Sequence, residues 1–428
     1  MTKFSYFLGS EQWQPEDLIK HAEIAREAGY DMLTISEHFH PWVDDYSASN
    51  FTWTTLGALA NKLPELDLGT GVTTPLWRIH PGVIAQAAAT VDRLSPSTFH
   101  LGVGTGENIN EGPLGYDFPK YEERKNRLIE ALTIIRRLLD GEKLDFNGEY
   151  YTTEKAKLYS PPTGNIPIWL AAGGPKSAQV AAEYADGLMI SVKDPKDSYE
   201  KVIDPAKKKS KDLKKENSAK EAFNLIEPKL RKDSVIGIGT GSTTNFFIQE
   251  LNEAKIQIKG VVCSSNASED LIDNSYDKFS LNEVHAIDFY IDGADEFNDR
   301  KELIKGGGGA LTREKILAYS SDQFICIVDE SKHVGLLGEF PLPIEVIELA
   351  RSAVSRELMK MGGKPIYRNG FITDNGNQII DIHNLPIEVP YELEAKINNI
   401  PGVVENGIFA NRKADTIICA KANSIEII

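Results

Sequence analysis

The stretch YIDGADEFNDRKELIKGGGGALTREK, from Tyr290 to Lys315, sets Asp292, Asp295, Glu296, Lys305, four consecutive glycines and Glu314 within one short span. A hydrophobic core needs none of these. Together they suit proton transfer beside a carbonyl. A carboxylate can take a proton from one carbon and return it to the next. A lysine and backbone N–H donors can hold the oxygen of the enediolate formed on the way. A lone carboxylate of this kind more often caps a helix or faces water. The grouping between two glycine-rich loops is what points to chemistry. No histidine stands in the span, so the expected base is a carboxylate.

The other glycine loop is GIGTGST, Gly237–Thr243. Glycines let backbone N–H groups approach an anion, and a helix N-terminus adds a favourable dipole. The spacing is not a dinucleotide fingerprint, because Ser242 stands where that pattern needs glycine. The threonines and serine suit a small phosphate or sugar hydroxyls. A third set lies near the start: SEHFHPW (Ser36–Trp42), GVGTGENINE (Gly102–Glu111) and WLAAGGP (Trp169–Pro175). Histidine and tryptophan at the end of a strand could serve proton transfer and ring stacking. Taken singly, SEHFHPW reads as a polar loop with an aromatic anchor.

The elements that carry these residues follow from the hydrophobic pattern. KFSYFLG, DMLTISEH, LDLGTGVTT, FHLGVGTG, IPIWLAAGG and GLMIS read as strands. Helices are expected near 15–28, 53–63, 81–94, 121–140 and 175–186. Six β/α repeats in series imply a parallel sheet, with the active side at the strands' carboxyl ends. Lys193–Lys220 is lysine-rich and reads as a solvated linker or exposed helix. A β/α pattern then resumes with SVIGIGTGST, IKGVVCSS, AIDFYIDGADE and QFICIVDES. Mixed helix and alternating strand follow, as in a small α+β insert, and TIICA reads as a strand returning to the main sheet. The expected boundaries are an incomplete β/α barrel at 1–192, a linker at 193–213 and an α/β domain at 214–428.

The 428 residues allow two or three domains, and 41% hydrophobic content is that of a globular chain. A net charge of −16 argues against nucleic-acid or anionic-membrane partners. Cys263, Cys326 and Cys419 are far apart in apolar runs and read as core thiols. No Cys/His cluster has metal-ligand spacing, so no metal is expected. No signal-peptide or membrane-spanning run is seen, and the expected compartment is the cytoplasm.

From about Lys214 onward the sequence resembles ribose-5-phosphate isomerases of the A type. GTGST, DGADE, KGGGGALTREK, FPLPIEV, ARSAV, ITDNGN and IPGVVENGIFANR match in order. The resemblance implies interconversion of ribose 5-phosphate and ribulose 5-phosphate through an enediol, in the non-oxidative pentose phosphate branch, without metal or organic cofactor. Glu314 would be the base. Asp292, Asp295 and Lys305 would line the reacting end. Thr240, Gly241, Ser242, Thr243, Gly293, Ala294, Gly306, Gly307, Gly308 and Lys332 would hold substrate; a further family lysine maps loosely to Lys215. A Rossmann-like main domain, a lid at about 341–407 and a homo-oligomer, dimer or tetramer, are also implied.

Residues 2–200 resemble the luciferase-like barrels, and among them the deazaflavin-dependent glucose-6-phosphate dehydrogenases. That resemblance places His38 and Trp42 against the deazaflavin coenzyme F420 and substrate, and makes Glu107 a candidate acid. Glu37, Val72, Thr74, Gly104, Asn110 and the Ala171–Gly174 turn would contact cofactor. Six β/α units are found where the family's barrel needs eight. The expectation is an isomerase with an inactive barrel fragment; the alternative is a bifunctional protein with an added sugar-phosphate dehydrogenase activity.

Overall fold

The computed structural model describes residues 2–45, 48–422 and 424–428. The chain divides into two compact units, one ending at Ser210 and the other beginning at Lys211.

The first unit is built on β1 (Ser5–Leu8), β2 (Met32–Ile35), β3 (Asp67–Thr70), β4 (Phe99–Val103), a hairpin β5 (Leu144–Asn147) and β6 (Thr152–Ala156), then β7 (Ile168–Ala171) and β8 (Gly187–Met189). Apart from the hairpin these form one sheet in the order β1-β2-β3-β4-β7-β8, parallel throughout. β2 and β3 are buried along their whole length, whereas the edge strands β1 and β8 are largely half-buried or exposed. Among the described residues neither edge is joined to a further strand on its outer side. The helices form where the pattern placed them, at Pro15–Glu27, Thr52–Lys62, Pro81–Leu94, Tyr121–Leu139 and Pro175–Tyr184. Helix Tyr121–Leu139 shows why. Leu128, Ala131, Leu132, Ile135, Leu138 and Leu139 recur at three- and four-residue spacing and are buried. Glu122 and Glu123 open the helix and Arg136 and Arg137 close it, matching its dipole. The hairpin β5–β6 has no counterpart in the sequence reading. The lysine-rich stretch is helical, in pieces Pro195–Ser198 and Tyr199–Ile203, followed by the long helix Asp204–Ile226.

The second unit holds β9 (Val235–Ile238), β10 (Gly260–Cys263), β11 (Ile287–Asp292), β12 (Glu296–Phe297), β13 (Leu303–Ile304), β14 (Ser321–Asp329), β15 (Leu342–Val346), β16 (Lys364–Tyr367), β17 (Gln378–His383), β18 (Val403–Asn406), β19 (Ile408–Phe409), β20 (Thr416–Ala420) and β21 (Ile425–Ile427). Its main sheet runs β10-β9-β11-β14-β20-β21, parallel except for β21. The chain leaves β9 for one side of the sheet and continues from β11 toward the other. The β9/β11 junction is therefore the topological switch point, where open α/β sheets bind ligands at their strands' carboxyl ends. A small antiparallel sheet, β16-β17-β15-β18, lies within 342–406, and β12-β13-β19 form a third, antiparallel sheet. Cys326 and Cys419 are buried, Cys263 is half-buried, and all three are unpaired.

Candidate active site

Both loops at the switch point converge on one cavity of about 320 Å3. β9 is apolar and fully buried, so it delivers the turn Gly239–Gly241 to a fixed place. Gly239 cannot carry a side chain, since a Cβ there would lie 2.0 Å from Asp292 Cγ. Gly241, at φ +136°, turns the chain into helix Ser242–Ala254, whose first-turn N–H groups receive no side-chain cap.

β11 ends on Asp292, which is fully buried. Its Oδ1 accepts from Thr240 N (3.1 Å), Gly293 N (2.7 Å) and Thr244 Oγ1 (3.4 Å). Its Oδ2 accepts from the Tyr290 hydroxyl and faces Lys305 Nζ at 2.6 Å. Every acceptor position of this carboxylate is thus spoken for. Asp292 stands behind the cavity wall and does not line it. Lys305, delivered by β13, also donates to Gly293 O (2.6 Å) and lies 3.3 Å from Glu314 Oε2. Burial on its own would lower the Lys305 pKa; Asp292 and Glu314 outweigh burial and hold it above the usual lysine range.

Glu314 sits in the first turn of helix Leu311–Tyr319, 3% exposed. The neighbouring Lys315 ties that helix to Glu394 (2.8 Å), Glu405 (2.9 Å) and the Ile408 carbonyl (2.7 Å). Although Oε2 is within ion-pair range of Lys305, it makes no hydrogen bond. Burial, then Asp292 and Asp295, raise the Glu314 pKa well above the ordinary carboxylate value, and Lys305 only partly offsets them. A buried carboxyl with a raised pKa on the lining of a cavity is suited to carry protons at neutral pH.

Lys305, Gly306, Gly307 and Gly308 line the same cavity. Gly306 (φ +106°) and Gly309 (φ +83°) take left-handed backbone, and Gly309 N bonds Gly306 O at 2.9 Å. Asp295, half-buried on the cavity, accepts from Gly307 N at 2.7 Å. Of the residues expected to hold substrate, Thr240, Gly241, Ser242, Thr243, Gly293, Ala294, Gly306, Gly307, Gly308 and Lys332 all line the cavity. The Thr240 hydroxyl, however, is engaged by Ser264 and Ser265 at 2.7 Å each. Lys215 lines the cavity, and so does Lys211, which the sequence reading missed. Its signal was present: it stands four residues before Lys215 on one helix face. Tyr290 was also missed, and its two-residue spacing from Asp292 on a strand was the clue.

In the first unit, a cavity of about 1200 Å3 lies at the strands' carboxyl ends and extends over the sheet's inner face. His38, Trp42, Val72, Thr74, Glu107 and Asn110 all line it, as do Glu37, Gly104 and Ala171. The His38 and Trp42 rings lie 5.3 Å apart, and His38 Nδ1 is buried without a hydrogen bond. Asn110 Oδ1 accepts from Phe39 N (2.9 Å), fixing the SEHFHPW loop. Glu37 is held by Arg78 (2.9 Å) and by the Thr73 hydroxyl. Ser5, Phe7, Thr34, His100 and Trp169, on strand faces that a closed barrel would enclose, line the same cavity. Among the described residues no group of three or more His, Cys, Asp or Glu side chains suits a metal, and no helix is long and apolar enough to cross a membrane.

Residues 259–424 match the family model of ribose 5-phosphate isomerase A (phosphoriboisomerase A). The ribose 5-phosphate isomerase A of Neisseria gonorrhoeae is 47% identical over 96% of its own length and 51% of this chain, with a TM-score of 0.49. The chain belongs to the ribose 5-phosphate isomerase A family. A D-ribose-5-phosphate isomerase solved with phospho-erythronic acid is 40% identical over 97% of its length and 50% of this chain (TM-score 0.47). Residues 2–219, just over half of the chain, match the luciferase-like monooxygenase model, so the chain belongs to that family as well. An F420-dependent secondary alcohol dehydrogenase, solved with an F420–acetone adduct, is 28% identical over 74% of its length and 59% of this chain (TM-score 0.48). The isomerase unit thus spans nearly all of its relatives' length. The luciferase-like unit has the family's sheet open on two sides.

Proposed function

We propose that the chain interconverts ribose 5-phosphate and ribulose 5-phosphate through an enediol, with Glu314 as the base. The observation that carries this reading is the buried Glu314 carboxyl, which lines the cavity with its Oε2 3.3 Å from Lys305 Nζ, in a cavity also lined by the first turn of helix Ser242–Ala254 and by Lys211, Lys215 and Lys332. In the proposed reaction Glu314 takes the proton from C2 of the open-chain aldose. The C1 carbonyl oxygen gains charge as the C1–C2 double bond forms, and Lys305 with the glycine-loop N–H groups stabilises it. A proton passes from the C2 hydroxyl to O1, and Glu314 returns its own proton to C1, giving the ketose. Phosphate binding at the lysines supplies the remote energy that orients C1 and C2. Asp292, saturated with donors, keeps Lys305 protonated and locks the Thr240 turn. The test is ketose formation from ribose 5-phosphate by the full chain, and none from a folded chain would end this reading.

For the first unit we infer a retained but incomplete deazaflavin cleft. His38, with its free Nδ1, and the half-exposed Trp42 ring fit a flat heteroaromatic group in kind. Coenzyme F420, when bound, would supply hydride transfer. His38 and Trp42 would hold its ring, and Glu107 lies exposed at the rim. The open β8 edge leaves one side of the cleft without a wall, so the reading is weak binding and no turnover. Fluorescence titration with the coenzyme, and its reduction by glucose 6-phosphate, decide between this and a bifunctional protein. Steady reduction lost in His38→Ala would establish the second activity.

A further inference from the structure

We propose that Arg368 is a positioning residue for the isomerisation, acting through the Gly307 carbonyl to aim the Gly308 N–H into the cavity. The inference rests on the isomerase reading above. Arg368 follows β16 in the small four-stranded sheet. Its Nε bonds Asp381 Oδ2 of β17 at 2.9 Å and its Nη2 bonds the other carboxylate oxygen. That bidentate grip leaves Nη1 to donate to Gly307 O at 3.1 Å and, at 3.4 Å, to Gly306 O. Phe371 lies under the guanidinium, 5.4 Å from carbon to ring centre, and fills the space over Gly309, where a Cβ would meet its Cζ at 2.2 Å.

The Gly307 residue is therefore held on both sides: its N–H by Asp295 of the main domain, its carbonyl by Arg368 of the small one. The only cis peptide among the described residues is Gly71–Val72, so Gly307–Gly308 is trans. In a planar trans peptide the carbonyl and the following N–H point in opposite directions. With the Gly307 carbonyl turned to Arg368, the Gly308 N–H points the other way. Gly308 lines the cavity, and no protein group among the described residues accepts from that N–H. A run of four glycines has wide backbone freedom. An oxyanion donor contributes most when its direction is set before reaction. Arg368 supplies that direction from outside the cavity, without touching substrate.

The test uses the full chain as Arg368→Ala, Arg368→Lys and Asp381→Asn. Arg368→Ala should lower kcat by about 10- to 100-fold, with KM changed less than about threefold, and added guanidinium should restore part of kcat. Asp381→Asn keeps only one of the two bonds that hold the guanidinium and leaves the guanidinium itself in place, so its loss of kcat and its gain in exchange over 306–309 should both be smaller than those of Arg368→Ala. Amide hydrogen exchange over 306–309, read without substrate, should speed at least about tenfold in Arg368→Ala. Should Arg368→Ala not fold, Arg368→Lys keeps the cation, and faster exchange over 306–309 with reduced kcat supports the proposal. Unchanged exchange, or equal losses in Arg368→Ala and Asp381→Asn, would overturn it. Absence of ketose formation by the wild-type chain would instead overturn the isomerase reading, because the exchange experiment needs no turnover.

Discussion

Glu314→Gln separates catalysis from stability in a way few substitutions can. Gln keeps the shape of the side chain and removes its basicity. Loss of a positioned base costs about two to four orders of magnitude in rate, so kcat should fall by that much while KM stays within a few fold. The stability effect should have the opposite sign. In the folded protein Lys305 faces two carboxylates, Asp292 at 2.6 Å and Glu314 at 3.3 Å, all buried. With both ionised the trio carries one uncompensated negative charge, and the raised Glu314 pKa expresses that penalty. A carboxyl whose folded pKa lies above its unfolded value holds its proton more tightly when folded. Its stabilising contribution is therefore present below the unfolded pKa and lost as pH rises through the folded one. At pH 8 the Gln variant removes that loss. Each unit of pKa corresponds to about 1.4 kcal/mol, or about 3–6 °C in Tm for a domain of this size. The variant should melt no lower than wild type at pH 8 and gain less at pH 5. The catalytic profile follows from the same shift. The base is lost as pH falls through its raised pKa, so the acid limb of kcat/KM should lie well above the ordinary carboxylate range, and vanish in Glu314→Gln. Ketose formation across a pH series and thermal melts at pH 5 and pH 8 are the assays. Near-wild-type turnover, or an acid limb near pH 4 that persists in the variant, would refute the assignment.

Lys305→Met should do the reverse in stability, because it strands Asp292 and Glu314 without a cation; a loss of about 3–5 kcal/mol by denaturant unfolding, together with a collapse of kcat, is expected. Lys332→Ala removes one cation from the lining of the cavity, so KM for the sugar phosphate should rise about 5- to 50-fold with kcat within a few fold, and the KM of wild type should rise with salt more steeply than that of the variant.

The sequence made some of this site legible and hid the rest for physical reasons. Glycine-loop and acidic motifs are contiguous in the chain, so their members could be read together: Asp295, Lys305 and Glu314 fall within 20 residues of one another. What the sequence could not show was which carboxylate faces the cavity. Asp292 and Asp295 look equivalent in DGADE. Burial at the end of β11 puts Asp292 behind the wall with five protein donors, and the connection that follows leaves Asp295 on it. Arg368 was invisible for another reason: it reaches the Gly307 carbonyl across 61 positions of chain, through a backbone acceptor that every residue possesses. The elements of the first unit were readable because each short apolar strand alternates with a helix of clear period. The β5–β6 hairpin was not, since the apolar alternation of LDFN lasts only four residues and TTEKA offers no matching apolar face.

The open barrel poses the sharper question of what its missing strands cost, and Phe7 can answer it. In a closed barrel an inward phenylalanine on β1 would be core, and truncating it would cost about 3–5 kcal/mol. Here Phe7 is 52% exposed, its ring lies over Gly71, and it lines the open cavity. The main apolar core sits on the opposite face, where Leu8, Leu33, Ile35, Leu101, Ile168 and Leu170 belong to one cluster with Leu56, Leu59, Ile84 and Leu132 of the helices. The inner face is partly polar: Lys3 and His100 meet Asp67, and Ser5 bonds Thr34 at 3.1 Å. Opening the barrel therefore exposes less apolar surface than an aliphatic interior would, and the sheet–helix layer can stand without closure. On that argument Phe7→Ser in the full chain should cost less than about 1 kcal/mol, the ordinary range for an exposed position, in the transition of the first unit. A cost of 3 kcal/mol or more, which falls with dilution of the protein, would mean that in solution the inner face is covered by a second copy of the chain.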